Sequence, residues 1–114
     1  MMAYHRGDIV LVNFNPQKQK EEIAKVRPAI IISDTALNEV LDLVSVVALT
    51  TNLIDGAGIL RVRIDKRERL EQNSDAMIEQ LRSLSKRRIG ERIASVTDDE
   101  MDRILDGIKA MLAL

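Results

Sequence analysis

A chain of 114 residues has the length of one domain with a real core, not of two. With 46% apolar and 31% charged residues it reads as an ordinary soluble globular protein, and a net charge of −1 argues against a generic nucleic-acid coat. Zero cysteines and one histidine exclude a disulfide framework, a thiol nucleophile and a zinc site, and 2% aromatics (Tyr4 and Phe14) leave almost no base-stacking platform.

Arg6-Gly7-Asp8 is a turn signal, and the lone His5 before it is expected on the surface. Ile9-Val10-Leu11-Val12-Asn13-Phe14 follows as a strand with apolar residues on both faces, ended by Asn15-Pro16. Residues 17–25 are polar and read as a long hairpin loop. The run 28–33 is a buried strand by its length and β-branched content. Residues 34–42 read as one or two helical turns or an irregular excursion, and 43–49 as another buried strand, ending in Thr50-Thr51-Asn52.

Asp55-Gly56-Ala57-Gly58 is a turn. The segment 59–64 then alternates, with Leu60, Val62 and Ile64 on one face and Arg61 and Arg63 on the other. After a polar connection over 66–75, residues 76–80 and 81–84 suggest strands around a bend, and 88–94 a strand broken by Gly90. Short, closely spaced strands with polar turns suggest a small barrel or sandwich. Thr97-Asp98-Asp99-Glu100 is a capping box, and Met101, Ile104, Leu105, Ile108, Met111 and Leu112 mark a helix packing one face on the sheet. No repeat, linker or second domain interrupts 1–114. No apolar N-terminal segment or long apolar run marks secretion or membrane insertion, so the cytoplasm is expected.

The charges are unevenly placed. Residues 61–92 hold ten Lys/Arg against six Asp/Glu, whereas 93–114 hold two against five. This allows a local basic surface for phosphate and is equally compatible with solvated strand faces. Arg27 stands out because Pro28 holds it in extended backbone at the entrance of a strand. A planar guanidinium so fixed suits a phosphate; it suits a carboxylate at a strand edge equally well.

Four blocks in order give the chain a resemblance to the MazF/PemK family of toxins from type II toxin–antitoxin pairs. They are Arg6-Gly7-Asp8-Ile9-Val10 with Phe14-Asn15-Pro16; Arg27-Pro28-Ala29-Ile30-Ile31-Ile32-Ser33; Val46-Val47-Ala48-Leu49-Thr50-Thr51; and Glu79-Gln80-Leu81-Arg82-Ser83-Leu84 with Arg88. The resemblance implies a mainly β fold with a C-terminal helix, a small SH3-like (PemK/CcdB-like) barrel, working as a homodimer. It also implies sequence-selective, metal-independent endoribonuclease activity on single-stranded RNA, with no cofactor, restrained by a cognate antitoxin. Operator DNA would be met only through the antitoxin complex, and no membrane is implied.

By the same resemblance Arg27 matches the catalytic arginine and Thr50 the hydroxyl residue that closes the site, with Glu22 in the place of a loop glutamate. Lys18, Lys20, Lys25, Thr51, Asn52, Arg61, Arg82 and Ser83 are candidate RNA contacts. The chain departs from the family pattern at Lys25, where glycine is usual, at Ile23, where glutamine commonly follows, and at Ser85, where aspartate is frequent. Two other functions share this barrel: a CcdB-like gyrase poison, and a catalytically inactive antitoxin-binding corepressor partner. Arg27 with Thr50 favours the nuclease, since a gyrase-binding toxin has no need of that pair.

Overall fold

The continuous apolar runs of the sequence become strands buried on both faces. In the computed structural model, which describes residues 3–14 and 26–114, β1 (Asp8–Asn13) pairs antiparallel with β2 (Val26–Ile31), Ile9 facing Ile30 and Val12 facing Arg27. The expected hairpin loop 17–25, with Lys18, Lys20, Glu22 and Lys25, lies outside the described residues. Asp34 caps the short helix α1 (Thr35–Val40), its carboxylate accepting the Ala36 and Leu37 N–H groups. Within the 34–42 stretch, residues 35–40 are thus helix, and Leu41 turns extended.

The long strand β3 (Leu43–Thr50) carries β2 on one edge and divides its other edge between two partners. Its first half pairs with β6 (Arg82–Ser85) and its end with β5 (Ser74–Met77), beyond which lies β4 (Arg61–Ile64). β7 (Ile89–Ser95) pairs with β1 at the opposite side of the sheet. The seven strands form one antiparallel, barrel-like sheet that is not closed, since β6 and β7 are joined by the turn Lys86–Arg88 rather than by pairing.

Alternation along β1, β2 and β3 feeds two cores. Ile9, Ile30, Ile32, Val47 and Leu49 point to the first, covered by β4, β5 and the C-terminal helix α2 (Asp98–Leu112). Val10, Val12, Ala29, Ile31, Val44 and Val46 point to the second, which Leu84 of β6 and Ile89 of β7 complete beside Tyr4 and Phe14. Burial on both faces is why these strands read as unbroken apolar runs.

Three sequence expectations change. Ser74 and Asp75, read as the end of a polar connection, are the first two residues of β5. Residues 78–80 are not strand but a single 3-10 turn, Ile78–Gln80, closed by the Leu81 N–H to the Ile78 carbonyl. The turn moves the chain from beside the end of β3 to beside its start, and fully buried Ile78 anchors it. Gly90 does not break β7. A Cβ there would stand 3.1 Å from the Leu11 carbonyl oxygen, so glycine lets β7 run close against β1 where the register shifts.

The capping box forms as expected: Thr97 Oγ1 accepts the Glu100 N–H, and Glu100 accepts the Thr97 N–H at 2.8 Å. Arg67, in the connection before β5, clamps both oxygens of buried Glu100 at 2.6 and 2.7 Å, tying the helix start to the barrel. No helix among the described residues is long and apolar enough to cross a membrane.

Candidate functional site

Pro28 shapes the strand end that carries Arg27. It has no N–H for a ladder, and the β2–β3 pairing begins only at Ala29 opposite Ala48. Short of that point a hollow of about 180 Å³ opens, lined by Phe14, Arg27, Ala48, Met77, Gln80 and Arg82. Ala48 gives it a shallow floor. Arg27 is exposed and has no hydrogen-bond or ion-pair partner among the described residues. Arg82 lies over the Phe14 ring, 5.5 Å from its centroid, which holds the second guanidinium without neutralising it. Two guanidiniums and the Gln80 amide over a small-residue floor form a seat for an anion with several oxygens, such as a phosphodiester.

Arg27 and Thr50 each lie two residues beyond the Ala29–Ala48 pair, on the strand face those alanines share. Thr50 Oγ1 accepts the Asn52 N–H at 3.1 Å. The contact is the backbone bond expected of a strand-end hydroxyl, and it leaves the hydroxyl proton available for donation.

Asp75 is the Cα partner of Thr50 on one side and of Arg63 on the other. It is 1% exposed, with Oδ1 accepting Arg63 Nε at 2.6 Å and Oδ2 accepting the Ile54 N–H at 2.9 Å and Arg61 Nη1 at 3.3 Å. Burial pushes this carboxyl up, but the hydrogen bonds from Arg63, Ile54 and Arg61 outweigh it and hold the group below the ordinary carboxylate value. Arg63 donates to Asp75 and, through Nη2, to Asp55 at 2.8 Å, and these bonds hold its guanidinium above its ordinary value.

The remaining sequence candidates are dispersed. Arg61 is turned onto Asp75 and the Asn52 carbonyl rather than into the hollow. Ser83 sits on the face of β6 opposite Arg82, bonded to Ser45 Oγ at 2.8 Å. Thr51 borders a larger concavity of about 430 Å³ under Pro28, floored by Leu11, Leu49, Leu70 and Ile93. That apolar space lies on the other side of β2, away from Arg27. Asn52 is exposed, and His5 is exposed as expected. Among the described residues no group of three or more His, Cys, Asp or Glu is arranged to hold a metal ion.

Phe14, Ala48 and Gln80 as lining, and Asp75 as the neighbour of Thr50, were not singled out by sequence reasoning. Asp75 reads in sequence as the end of the polar connection 66–75, and only the fold places it in β5, opposite the Arg61/Arg63 stripe of β4.

The chain belongs to the family of PemK-like, MazF-like toxins of type II toxin–antitoxin systems, whose model matches residues 5–112. Over 114 residues it is 29% identical to endoribonuclease EndoA of Bacillus subtilis strain 168, with 99% of this chain and 97% of that protein covered. MazF (Form-I) from Deinococcus radiodurans has the same fold, with a TM-score of 0.80 at 23% identity and full coverage of both chains. An endoribonuclease in complex with its cognate antitoxin from a mycobacterial species follows at a TM-score of 0.73 and 22% identity, covering 100% and 97%.

Proposed function

We propose that this protein is an endoribonuclease that cleaves single-stranded RNA at selected sequences without a divalent metal, and that a cognate antitoxin holds it off. The observation carrying this reading is that Arg27, exposed and with its side chain unpartnered among the described residues, lines one hollow with Arg82, on the strand face that continues to Thr50. Family membership and the endoribonuclease name of the Bacillus relative support it.

RNA brings its own nucleophile. The 2′-oxygen attacks phosphorus, its proton passes to a base, the P–O5′ bond breaks, and the departing oxygen takes up a proton. The products are a 2′,3′-cyclic phosphate and a 5′-hydroxyl. Arg27 meets the phosphoryl oxygens with two parallel donors, and the Thr50 hydroxyl supplies a further donor to the same charge. A guanidinium that stays charged throughout is a poor base, so Glu22 is the proposed proton acceptor. Arg82 binds a flanking phosphate, and Lys18, Lys20, Lys25 and Asn52 contact the strand around it, with Thr51 reached only by RNA that runs past the edge of β3.

The protein acts as a homodimer, for which the exposed aliphatic side chains of Leu37, Val40, Leu41 and Leu43 offer surface. The antitoxin is an acidic segment that folds over the hollow and covers Arg27.

The test is incubation of purified protein with defined single-stranded RNA in EDTA, followed by mapping of both ends. Cyclic-phosphate and 5′-hydroxyl ends in EDTA are the expected result. Activity lost in EDTA and restored by Mg²⁺, or equal cleavage of the all-deoxy strand, would overturn the mechanism.

A further inference from the structure

The segment 51–57 that leaves Thr50 is exposed along its whole length, and an exposed loop is a poor mount for a hydroxyl that must meet a phosphoryl oxygen. A single buried carboxylate ties it down. Asp75 Oδ2 receives the Ile54 N–H and Arg61, and Arg61 in turn donates to the Asn52 carbonyl at 3.2 Å. The Asn52 N–H reaches Thr50 Oγ1, closing a circuit of hydrogen bonds that begins and ends on the β3–β5 pair Thr50–Asp75. Arg63 adds an outer tie, bonding Asp75 through Nε and Asp55 through Nη2 at 2.8 Å.

We propose that Asp75 is a positioning residue for the Thr50 hydroxyl, acting through Arg61, Asn52 and Ile54, in the RNA cleavage proposed above. The carboxylate is well suited to this. It accepts three hydrogen bonds with two oxygens, which neither asparagine nor an apolar residue at this place in β5 reproduces. It also pairs the two arginines of β4 with carboxylates, so they serve the loop rather than the RNA. The row Thr50–Asp75–Arg63 runs straight across three neighbouring strands, so a change at Asp75 is felt at Thr50 with no intervening element.

The test combines steady-state RNA cleavage with amide hydrogen exchange on Asp75→Asn, Thr50→Val, the double variant and Arg61→Gln. Asp75→Asn lowers kcat by about 10²-fold with KM changed less than about threefold, the order expected when a reacting group is misplaced by about an ångström. In the Thr50→Val background the same substitution adds less than about threefold, because both act on one hydroxyl. Arg61→Gln leaves the Asp75–Arg63 pair in place and gives a smaller loss, abolished in the same background. Exchange at the Asn52 and Ile54 amides accelerates at least about tenfold in folded Asp75→Asn.

Losses that multiply, a KM effect without a kcat effect, or unchanged exchange would overturn the proposal. If Asp75→Asn fails to fold, Arg61→Gln decides by the same cycle. A wild-type protein that cleaves no RNA ends the nuclease reading and the role of Asp75 in it. Exchange then still reports whether the carboxylate holds the segment, so the two failures are distinguishable.

Discussion

Replacing Arg27 with alanine separates function from stability more sharply than any other change. Arg27 is exposed, its side chain enters no hydrogen bond or ion pair among the described residues, and it stands beyond the margin of the β2–β3 ladder. Its removal should cost the fold no more than about 0.5 kcal/mol. With an unfolding entropy of about 2.1 cal/mol/K per residue, that is a shift of about 2 °C in Tm. The reaction is another matter. One oxyanion-type donor is worth about 10²–10³ in rate, and Arg27 offers two in a fixed fork, so a loss of at least about 10³ in kcat is expected. Arg82 remains across the hollow, so KM should rise far less than kcat falls. Arg27→Lys should regain less than about tenfold, because an ammonium keeps the charge but not the parallel donors. Single-turnover cleavage of a fluorogenic RNA, with circular dichroism and a melting curve on the same samples, measures all of this. Wild-type cleavage by folded Arg27→Ala would refute the assignment of the site, and a fall of many degrees in Tm would return Arg27 to a structural role.

Glu100→Ala removes half of the capping box and leaves partly buried Arg67 without its carboxylate. The expected loss is on the order of 3 kcal/mol, about 12 °C in Tm, and a loss under about 1 kcal/mol by urea denaturation would refute the clamp. Glu100 resembles Asp75 in its charge environment: burial pushes its carboxyl up, and bonds from Arg67 and Thr97 outweigh it and hold it below the ordinary value. Depressed carboxyls contribute stability that is complete above the unfolded-state values near 4 and is lost as pH falls through the lower folded ones. The urea midpoint should therefore hold steady from pH 7 to about 5 and decline below about 4, less steeply in Asp75→Asn; a flat profile down to pH 2 would contradict this. Gly107→Ala should destabilise although alanine is the better helix former by about 1 kcal/mol, since its Cβ would stand 2.6 Å from the Ile59 carbonyl oxygen. A raised Tm would show that the 3-10 turn Gly58–Leu60 gives way.

What was legible in the sequence was mostly what local chemistry decides. Thr97 and Glu100 announce α2, and the period of two in 61–64 places Val62 and Ile64 inward and the arginines outward. The unbroken runs around Ile9, Ile31 and Val47 announce strands with two buried faces. What was not legible depends on distant partners. Nothing local says that β5 and β6 share one edge of β3, so the 3-10 turn Ile78–Gln80 that carries the chain between them reads as strand. Gly90 reads as a break because the Leu11 carbonyl that demands it is far away in sequence. The site follows the same division. Pro28 marks Arg27 locally, whereas Gln80 and Phe14 reach the hollow only through the folded sheet. Arg61 and Ser83 look free in sequence until Asp75 and Ser45 are seen beside them.

The same division governs how the basic stretch 61–92 should be understood. Half of its ten basic side chains are already paired with carboxylates. Arg61 and Arg63 are bonded to Asp75, Arg67 to Glu100, Arg69 to Glu91, and Arg92 to Asp8 and Glu68. Most of these arginines hold loops, strand ends and the helix in place, and a phosphate approaching them would have to displace a carboxylate already at hydrogen-bond distance. Arg82 escapes this fate because its neighbour is the Phe14 ring, and Arg27 because it has no partner among the described residues. Among the described residues, the Arg27–Arg82 hollow is thus one place where guanidiniums stand clear of any carboxylate. An acidic inhibitor meets the same two guanidiniums, so in the proposed function substrate and antitoxin compete for one seat. On this account, inhibition requires only that the seat be filled, with no change in the sheet that carries it.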